Sequence, residues 1–302
     1  MDLMNIIDID LNLLKVFEAL HDEGGASRAA LRLGLTQSAV SAALRRLRQV
    51  YDDPLFVRTG RGLSPTLRAN QLKPLISEAL GKCRQSLALL DPEANHFEGR
   101  SLSLGLSDDF EIAYGQALIA AVRRQAPGLR LIFRQTHSQI VAQGLLERSL
   151  DLALTSGGFA QRLLSRVVLG DGDYQCLVDP ASLAPGQAQL SLDAFVEREQ
   201  ILVSSGGFVG IVDEALAAMG KHRTICAATS HFAALGHLLK GTRYLATLPG
   251  HAARAIASNT GLQVLPCPLA LPRYPIELGW RSSGPLDPLV ERVRAAVLEV
   301  FA

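Results

Sequence analysis

The first 65 residues hold the pattern that most restricts the fold, because they combine three short helices with a tight basic hairpin. Apolar spacing and glycine stops predict helices over residues 12–21, 27–33 and 37–51. Thr36 is placed to cap the third helix, and Pro54 ends the helical region. Two short strands then flank residues 59–61 as a hairpin. Two helices joined at a glycine, the second of them capped and basic, have the dimensions of a helix-turn-helix.

Positive charge is concentrated in the same region. Between Gly24 and Lys73 there are nine Arg or Lys side chains and two Asp, whereas the chain of 302 residues has a net charge of only +1. A basic block in a nearly neutral protein is typical of a module that contacts phosphates, so we expect double-stranded DNA as a partner. A solvated basic face on a small helical bundle is the alternative. Candidate DNA-binding residues are Arg28, Gln37, Ser38, Ser41, Arg45, Arg46, Arg48, Arg58 and Arg61.

One long helix is predicted for residues 66–90. Its apolar residues recur at spacings of three and four, which forms a seam suited to a partner helix and predicts a dimer contact. Packing on the core of its own domain is the alternative, and Pro74 is expected to kink the helix unless it lies in the first turn. The seam consists of Leu72, Ile76, Ala79, Cys83, Leu87 and Leu90.

From Ser101 onward strands and helices alternate, which predicts an α/β region with a mostly parallel sheet, divided into two lobes. Polar residues at the strand-to-helix junctions suit a small carboxylate or another polar metabolite, because helix N-termini offer N–H donors there. Taken singly, each of these residues is more often a simple helix cap or turn residue. Asp108 and Asp109 would repel an anion if they faced this cleft. Candidate effector-binding residues are Ser107, His137, Ser138, Ser204, Ser205, Phe208, Thr229 and Ser230.

These patterns predict a division into three parts. Residues 1–65 form the DNA-binding domain, residues 66–90 the linker or dimerisation helix, and residues 91–302 the two-lobed domain. Within the last part, lobe I is expected at about 100–168 and 268–302, and lobe II at about 169–267.

Motifs for catalysis, nucleotide binding or metal binding are missing from the sequence. There is no HExxH, GxGxxG or GxSxG, so we expect no enzyme activity, no catalytic residues, no metal site and no cofactor. The cysteines at 83, 176, 226 and 267 lie far apart without a CxxC pair, as free thiols of a reducing compartment do. No apolar stretch has the length of a membrane helix, and no signal peptide is visible. A cytoplasmic protein is therefore expected.

The run from Leu11 to Pro65 resembles the N-terminus of LysR-type transcriptional regulators. The resemblance is carried by Leu13-Leu14, Phe17, Ala29-Ala30, Leu33, Thr36 to Ser41, Leu44, Leu47, Pro54 to Arg58 and Leu63 to Thr66. It continues more weakly at Leu145 to Leu154, where Ser149 replaces a commoner glycine. Ala42 stands where the family often has a longer polar side chain, so Arg45 and Arg46 are expected to carry more of the binding.

The resemblance implies a winged helix-turn-helix, a long linker helix and a two-lobed α/β effector domain like the type 2 periplasmic binding proteins. It also implies a linker-helix homodimer, usually assembled into a homotetramer. On this interpretation the protein is a sequence-specific transcriptional regulator, and a small effector alters DNA bending or contact with RNA polymerase. The alternatives are a cytoplasmic sensor or binding protein with an N-terminal protein-interaction module, and an enzyme that uses the two-lobed cleft.

Overall fold

The computed structural model describes residues 10–60, 62–88, 97–98, 100–204, 206–282 and 287–302. It divides the chain into two compact units, residues 1–96 and 97–302. The N-terminal unit contains the predicted helices and hairpin in the predicted order. Its elements are α1 (Asn12–Glu23), α2 (Ala26–Leu33), α3 (Gln37–Tyr51), β1 (Phe56–Thr59), β2 (Gly62–Pro65) and α4 (Leu67–Ala88).

Local sequence signals set the ends of the first three helices. Gly24 and Gly34 end α1 and α2 in the left-handed conformation, with φ of 59° and 65°, which glycine adopts without a steric penalty. The hydroxyl of Thr36 accepts a hydrogen bond from the backbone N–H of Ala39 at 3.2 Å and so caps α3. The buried faces of these helices form one core, which includes Phe17, Leu20, Val40, Leu47, Leu55 and Phe56.

Helix α4 packs against this core, which corrects the predicted seam. Ile76 was expected to face a partner helix, but it is buried with Leu80 in the N-terminal unit. The large apolar side chains that α4 leaves outside are Leu67 and Leu75, which are 76% and 64% exposed. Ala79 and Cys83 are also exposed, whereas the side chain of Leu87 and residue Leu90 lie outside the described residues. Pro74 lies within α4, beyond its first turn.

The basic residues Arg32 and Lys73 of the N-terminal window form ion pairs within the unit. The carboxylate of Asp22 on α1 pairs with the ammonium of Lys73 on α4 at 2.7 Å and with the guanidinium of Arg32 on α2 at 2.9 Å. All three side chains are mostly shielded from solvent. Burial by itself would raise the pKa of Asp22, but the two cations outweigh it and lower the pKa of this carboxyl.

The second unit contains two five-stranded sheets, which define its two lobes. Lobe I has the strand order β4-β3-β5-β12-β6 and lobe II the order β11-β7-β10-β8-β9. The strands are β3 (Ser101–Leu106), β4 (Arg130–Gln135), β5 (Leu152–Thr155), β6 (Leu164–Gly172), β7 (Tyr174–Val178), β8 (Gln200–Val203), β9 (Ile225–Thr229), β10 (Leu245–Pro249), β11 (Gln263–Pro266) and β12 (Tyr274–Arg281).

Helices cover both sheets. They are α5 (Asp108–Gln125), α6 (Val141–Leu146), α7 (Leu192–Glu197), α8 (Ile211–Ala217), α9 (Leu235–Leu239), α10 (Gly250–Thr260) and α11 (Pro288–Phe301). Helices α5 and α11 contribute to the core of lobe I, and α9 and α10 to a core of lobe II. Short 3-10 helices occur at Pro180–Ser182 and Phe232–Ala234.

The sheets are mixed, not mostly parallel as expected. In lobe I, β3 is parallel to β4 and β5, but β12 is antiparallel to β5 and β6. In lobe II, β8 is parallel to β9 and β10, but β7 is antiparallel to β10 and β11. The antiparallel strands flank the two points at which the chain passes between the lobes. Alternation of strands and helices predicts the parallel part of each sheet, but it does not predict the pairing direction of strands that arrive from the other lobe.

The positions of the two crossings also differ from the expected boundaries. The boundary expected at 168–169 falls inside β6, which stays paired with β12 as far as Gly172 opposite Tyr274. On the return path, Leu269 and Leu271 pack in a core of lobe II, although lobe I was expected to resume at 268. Apolar residues in a connecting segment do not show which of two cores receives them, so this boundary depends on long-range packing.

Replacement of Asp22 by Asn tests the ion-pair network. At pH 7 we expect a loss of about 1–2 kcal/mol in the free energy of local unfolding of α1, because Lys73 and Arg32 each lose their shortest ionic partner. The pKa of Asp22 is lowered in the folded state, so the stabilisation is present above the ordinary pKa of 3.8 and disappears as pH falls through the lower folded value. The difference between wild type and variant in the free energy of local unfolding of α1 should therefore disappear at acidic pH.

Peptide-resolved hydrogen exchange of the full-length protein measures this difference in residues 12–23. Asp52→Asn is the matched control, because Asp52 is exposed and sits at φ 46°, a conformation that Asn adopts readily. Equal protection of α1 in Asp22→Asn and Asp52→Asn would contradict a stabilising role for the network.

Candidate nucleic-acid interface and ligand cleft

One face of α3 is exposed and the other is buried. Val40, Leu44 and Leu47 lie in the core of the N-terminal unit. Small polar and basic residues occupy the solvent side, and the predicted contact residues Gln37, Ser38, Ser41, Arg45 and Arg46 are all exposed there. Ser41 and Arg45 are one helical turn apart, so they line the same strip of the surface. The structure thus brings six of the nine predicted DNA-binding residues, these five and Arg48, onto a single helix.

Arg48 has a different role from its neighbours on α3. Its Nε donates to the carbonyl oxygen of Pro54 at 2.8 Å, and its Nη2 donates to the carbonyl oxygen of Phe56 at 2.9 Å. The planar guanidinium therefore fastens the turn that leads from α3 into β1. This fork occupies two of its donors inside the protein. The sequence did not predict these two hydrogen bonds, because a carbonyl partner has no signature in the sequence.

Two further predicted DNA-binding residues, Arg58 and Arg28, lie outside α3. Arg58 is exposed on β1. Arg28 on α2 is exposed and donates from Nε to the carbonyl oxygen of Glu23 at 2.7 Å. Arg61 lies outside the described residues. Arg32 and Lys73 are paired with Asp22. The exposed positive charge of this unit is therefore carried by fewer residues than the basic residues counted between Gly24 and Lys73.

In lobe I the predicted effector residues follow parallel strands and share one edge of the sheet. Ser107 follows β3, and His137 and Ser138 follow β4, whose Gln135 is paired with Leu106. His137 is exposed, whereas Ser107 and Ser138 are half-buried.

The loop after β5 presses against the loop after β4. Gly158 has φ 102°, and a Cβ atom there would lie 2.3 Å from the carbonyl oxygen of Ser138, so only glycine fits. The neighbouring turn is held by the Thr155 hydroxyl, which donates to the carbonyl oxygen of Gly157 at 2.6 Å. The two loops are therefore in direct contact and together form the rim of this lobe.

Lobe II presents a similar edge. The backbone N–H of Ser204, after β8, donates to the carbonyl oxygen of Thr229, the last residue of β9, at 2.8 Å. Thr229 and Ser204 are half-buried, and Ser230 is exposed. Phe208 is 63% exposed, in contrast to Phe232, which packs against a core of this lobe. Ser205 lies outside the described residues.

A buried hydrogen bond joins the two lobes beside these edges. The Asp109 carboxylate on α5 of lobe I lies 3.0 Å from Nε2 of His251 on α10 of lobe II, and both residues are almost fully buried. The imidazole also stacks on Phe110, with ring centroids 4.6 Å apart at an angle of 20°. The second carboxylate oxygen of Asp109 accepts the hydroxyl proton of Ser107. Both carboxylate oxygens therefore have partners.

Asp108 is held by lobe II as well. Its carboxylate accepts from the backbone N–H of Ala233 at 3.3 Å and lies 4.0 Å from Nδ1 of His231. The first turn of α5 therefore meets the segments that follow β9 and β10, and the polar edges of the two lobes adjoin each other. Adjacent aspartates gave no hint of this arrangement in the sequence, because their partners lie 125 and 142 residues further along the chain.

Three tyrosines surround this junction. Burial, followed by the nearby Asp109 carboxylate, raises the pKa of Tyr174 and of Tyr274. Burial also raises the pKa of Tyr114. The phenols thus keep their protons at physiological pH. The Tyr274 hydroxyl lies 3.5 Å from His251 Nδ1 and 3.4 Å from the carbonyl oxygen of Asp173.

No set of three or more potential metal ligands comes together within the described part of the chain. In the same residues, no helix is both long and apolar enough to cross a membrane.

Two family models match the chain. Residues 11–70 match the bacterial regulatory helix-turn-helix protein, lysR family, and residues 95–302 match the LysR substrate binding domain. Curated relatives align over nearly the whole chain. The transcriptional activator NahR of Pseudomonas putida is 34% identical over 99% of both chains, and NagR of a Ralstonia species is 32% identical over 99% of both. Nodulation protein D 1 of Bradyrhizobium japonicum is 30% identical over 94% of this chain and 89% of the relative.

Solved structures show the same fold. A probable transcriptional regulator from Pseudomonas aeruginosa has a TM-score of 0.73 and 28% identity, over 96% of this chain and 98% of that one. Full-length OxyR from the same organism has a TM-score of 0.69 at 17% identity, over 97% of this chain and 94% of that one. The winged helix-turn-helix and the two-lobed α/β domain expected from the sequence are confirmed. The chain belongs to the LysR family of transcriptional regulators.

Proposed function

We propose that this regulator reads its operator with α3 and the adjoining hairpin, and that a small polar effector bound between the two lobes sets its activity. The observation that carries the first part is the exposed strip of α3, whose opposite face is buried in the core. Small side chains at Ser38 and Ser41 let the helix lie deep in a major groove. Arg45, one turn beyond Ser41, reaches a guanine edge or a phosphate.

The other basic side chains support this placement of the helix. Arg46 and Arg58 are exposed, and we assign them to phosphate contacts, which fix the register of the protein on DNA without reading sequence. Arg28 lies at the junction of α1 and α2 and is assigned a similar contact. Gln37, at the start of α3, is suited to an adenine edge.

Operator reading by this module is proposed to require a homodimer. The exposed face of α4, with Leu67 and Leu75, offers apolar area for a second copy of the helix. A dimer would present two copies of α3 to two half-sites, and pairs of dimers would form the homotetramer. When bound to its operator, the oligomer would alter the bending of the DNA or its own contact with RNA polymerase.

The hydrogen bonding of the Ser107 hydroxyl indicates which kind of polar group an effector would place beside it. A serine hydroxyl has one proton and two lone pairs, and Ser107 gives its proton to Asp109. The oxygen of Ser107 is then left to accept a hydrogen bond. We therefore propose an effector that presents a hydroxyl or amino group to Ser107, with His137, Ser138, Ser204, Thr229 and Ser230 contributing further polar contacts and Phe208 an apolar one.

A thermal-shift screen of the full-length protein against small polar metabolites tests this proposal. We expect stabilising compounds that carry a hydroxyl or amino group, lose their effect in Ser107→Ala and change the affinity for operator DNA. Ser258→Ala is the matched control, because its exposed hydroxyl bonds within α10. Stabilising compounds that bind Ser107→Ala and wild type equally would contradict the assigned contact.

Substitution of Arg45 separates DNA contact from folding. Arg45→Ala should weaken binding to DNA from immediately upstream of the gene by about tenfold, or roughly 1–3 kcal/mol, with unchanged thermal stability. Arg48→Ala should lower stability as well as binding, because two backbone carbonyls lose their donor.

Fluorescence anisotropy across a salt series measures both DNA effects. Arg292→Ala serves as control, since it removes an exposed positive charge from the other unit. Equal binding by Arg45→Ala and Arg292→Ala would rule out the proposed contact of Arg45.

Replacement of His251 by Phe probes the joint between the lobes. The phenyl ring keeps the stack on Phe110 but leaves one oxygen of the buried Asp109 carboxylate without its donor, which costs about 1–3 kcal/mol. We expect faster hydrogen exchange in α5 and α10 of the full-length protein. His237→Phe, at an exposed position on α9, should exchange like wild type. Unchanged protection of α5 and α10 in His251→Phe would show that the pair does not hold the lobes together.

A further inference from the structure

Two of the four cysteines come together in lobe II, although they are 91 residues apart in the sequence. Cys176 lies on β7 opposite Leu265 of β11. Cys267 comes two residues after Leu265, just beyond the end of β11, and packs in the same apolar cluster as Leu265. Both cysteines pack in one apolar cluster, in which Cys176 is fully buried and Cys267 is partly accessible. The two thiols are close enough for each to shift the pKa of the other.

The surroundings of the two sulfur atoms differ. The Cys176 thiol, the backbone N–H of Leu269 and the positive charge of Arg223 all favour the thiolate form of Cys267 and so lower its pKa. The Cys176 thiol is the largest influence, and the pKa of Cys267 is lowered although burial opposes this. The pKa of Cys176 is raised by the neighbouring Cys267 thiol and by burial. An accessible sulfur with thiolate character thus adjoins a protonated, buried thiol.

Arg223 is fixed in place, so its effect on Cys267 is a constant feature of the fold. Its guanidinium forks onto both carboxylate oxygens of Asp213, at 2.8 and 2.7 Å, and also donates to Gln200 at 2.9 Å. The other two cysteines have different environments. Cys83 is exposed on α4. Cys226 is exposed on β9, and partial desolvation of its thiol raises the pKa of Cys226.

We propose that Cys176 and Cys267 form a redox-active dithiol, which hydroperoxides convert to an intramolecular disulfide. Sensor cysteines combine accessibility, thiolate character and an adjacent resolving thiol, and this pair has all three. The proposal does not depend on the effector or on the operator. Nothing in the function described above uses either sulfur atom.

The chemistry proceeds in two steps. The Cys267 thiolate attacks the hydroperoxide, so that an S–O bond forms, the O–O bond breaks and the alkoxide or hydroxide leaves as alcohol or water after it takes up a proton. Cys267 is thereby oxidised to a sulfenic acid. The Cys176 sulfur then attacks the Cys267 sulfur, the S–S bond forms, and the hydroxyl leaves with the Cys176 proton as water. The hydroperoxide accepts the two electrons lost by the two thiols.

Such a disulfide would act on the connections between the lobes. Cys176 lies near the start of β7, the first strand after the chain leaves lobe I, and Cys267 begins the segment that returns to lobe I. These two connections already touch through the rings of Tyr174 and Tyr274, whose centroids are 5.2 Å apart. Oxidation would tie the return segment to β7 and restrict relative motion of the lobes.

Peptide mapping of the oxidised full-length protein tests the proposal. The reduced protein is treated with hydrogen peroxide, remaining thiols are blocked with N-ethylmaleimide, and non-reduced digests are analysed by mass spectrometry. We expect a disulfide-linked peptide pair that contains Cys176 and Cys267, reversed by dithiothreitol. Loss of the free Cys267 thiol should be about tenfold faster than loss of the Cys83 thiol. The double variant Cys83→Ser/Cys226→Ser should form the same disulfide at the same rate.

The variant Cys176→Ser separates the two steps, because it lacks the thiol that forms the disulfide. The sulfenic acid at Cys267 should then persist and react with dimedone, whereas in wild type it is converted to the disulfide. If Cys176 and Cys267 stay alkylatable after peroxide has oxidised Cys83 or Cys226, the proposal is wrong. Oxidation of Cys267 to higher acids while Cys176 stays reduced in the wild-type protein would also overturn it. Both decisive measurements are made on wild type, so they do not rely on folding of a core variant.

Discussion

The second unit depends on one buried polar contact, the hydrogen bond between Asp109 and His251. A carboxylate removed from water is destabilising unless both oxygens have donors, and Asp109 finds them in Ser107 of its own lobe and His251 of the other. A displacement of one lobe relative to the other would separate Asp109 from His251. The contact therefore fixes how the polar edges of the two sheets adjoin, and those edges provide the candidate effector residues.

The N-terminal unit could be predicted closely because its signals are local. Glycine stops, the Thr36 cap and the periodic burial of Val40, Leu44 and Leu47 act within one or two helical turns. What the sequence could not provide were the partners of its charged residues. Arg48 binds carbonyl oxygens, and Lys73 pairs with a carboxylate 51 residues earlier. A positive charge in a sequence looks the same whether it faces DNA or a neighbouring helix.

In the second unit, element types could be predicted and their neighbours could not. The alternation of strands and helices from Ser101 onward was expected, but the antiparallel pairing of β12 with β5 and β6 joins segments more than a hundred residues apart. The candidate effector residues follow parallel strands, so their common edge was predictable from the alternation of strand and helix. The Asp109–His251 pair and the Cys176–Cys267 pair each bring together segments that are distant in the sequence, and no local sequence pattern predicts such contacts.

The close approach of Gly158 to Ser138 has a consequence for how ligand preference can change during evolution or by design. Since this glycine leaves no room for a side chain, the loops after β4 and β5 have a fixed separation, and insertions there would push the rim of lobe I apart. Around Gly206 and Gly207 there is open space, and Phe208 and Val209 are exposed. Libraries that aim to redirect the regulator toward new inducers should therefore vary Gly206, Phe208 and Val209, and leave untouched both Gly158 and Gly207, whose φ of 154° favours glycine.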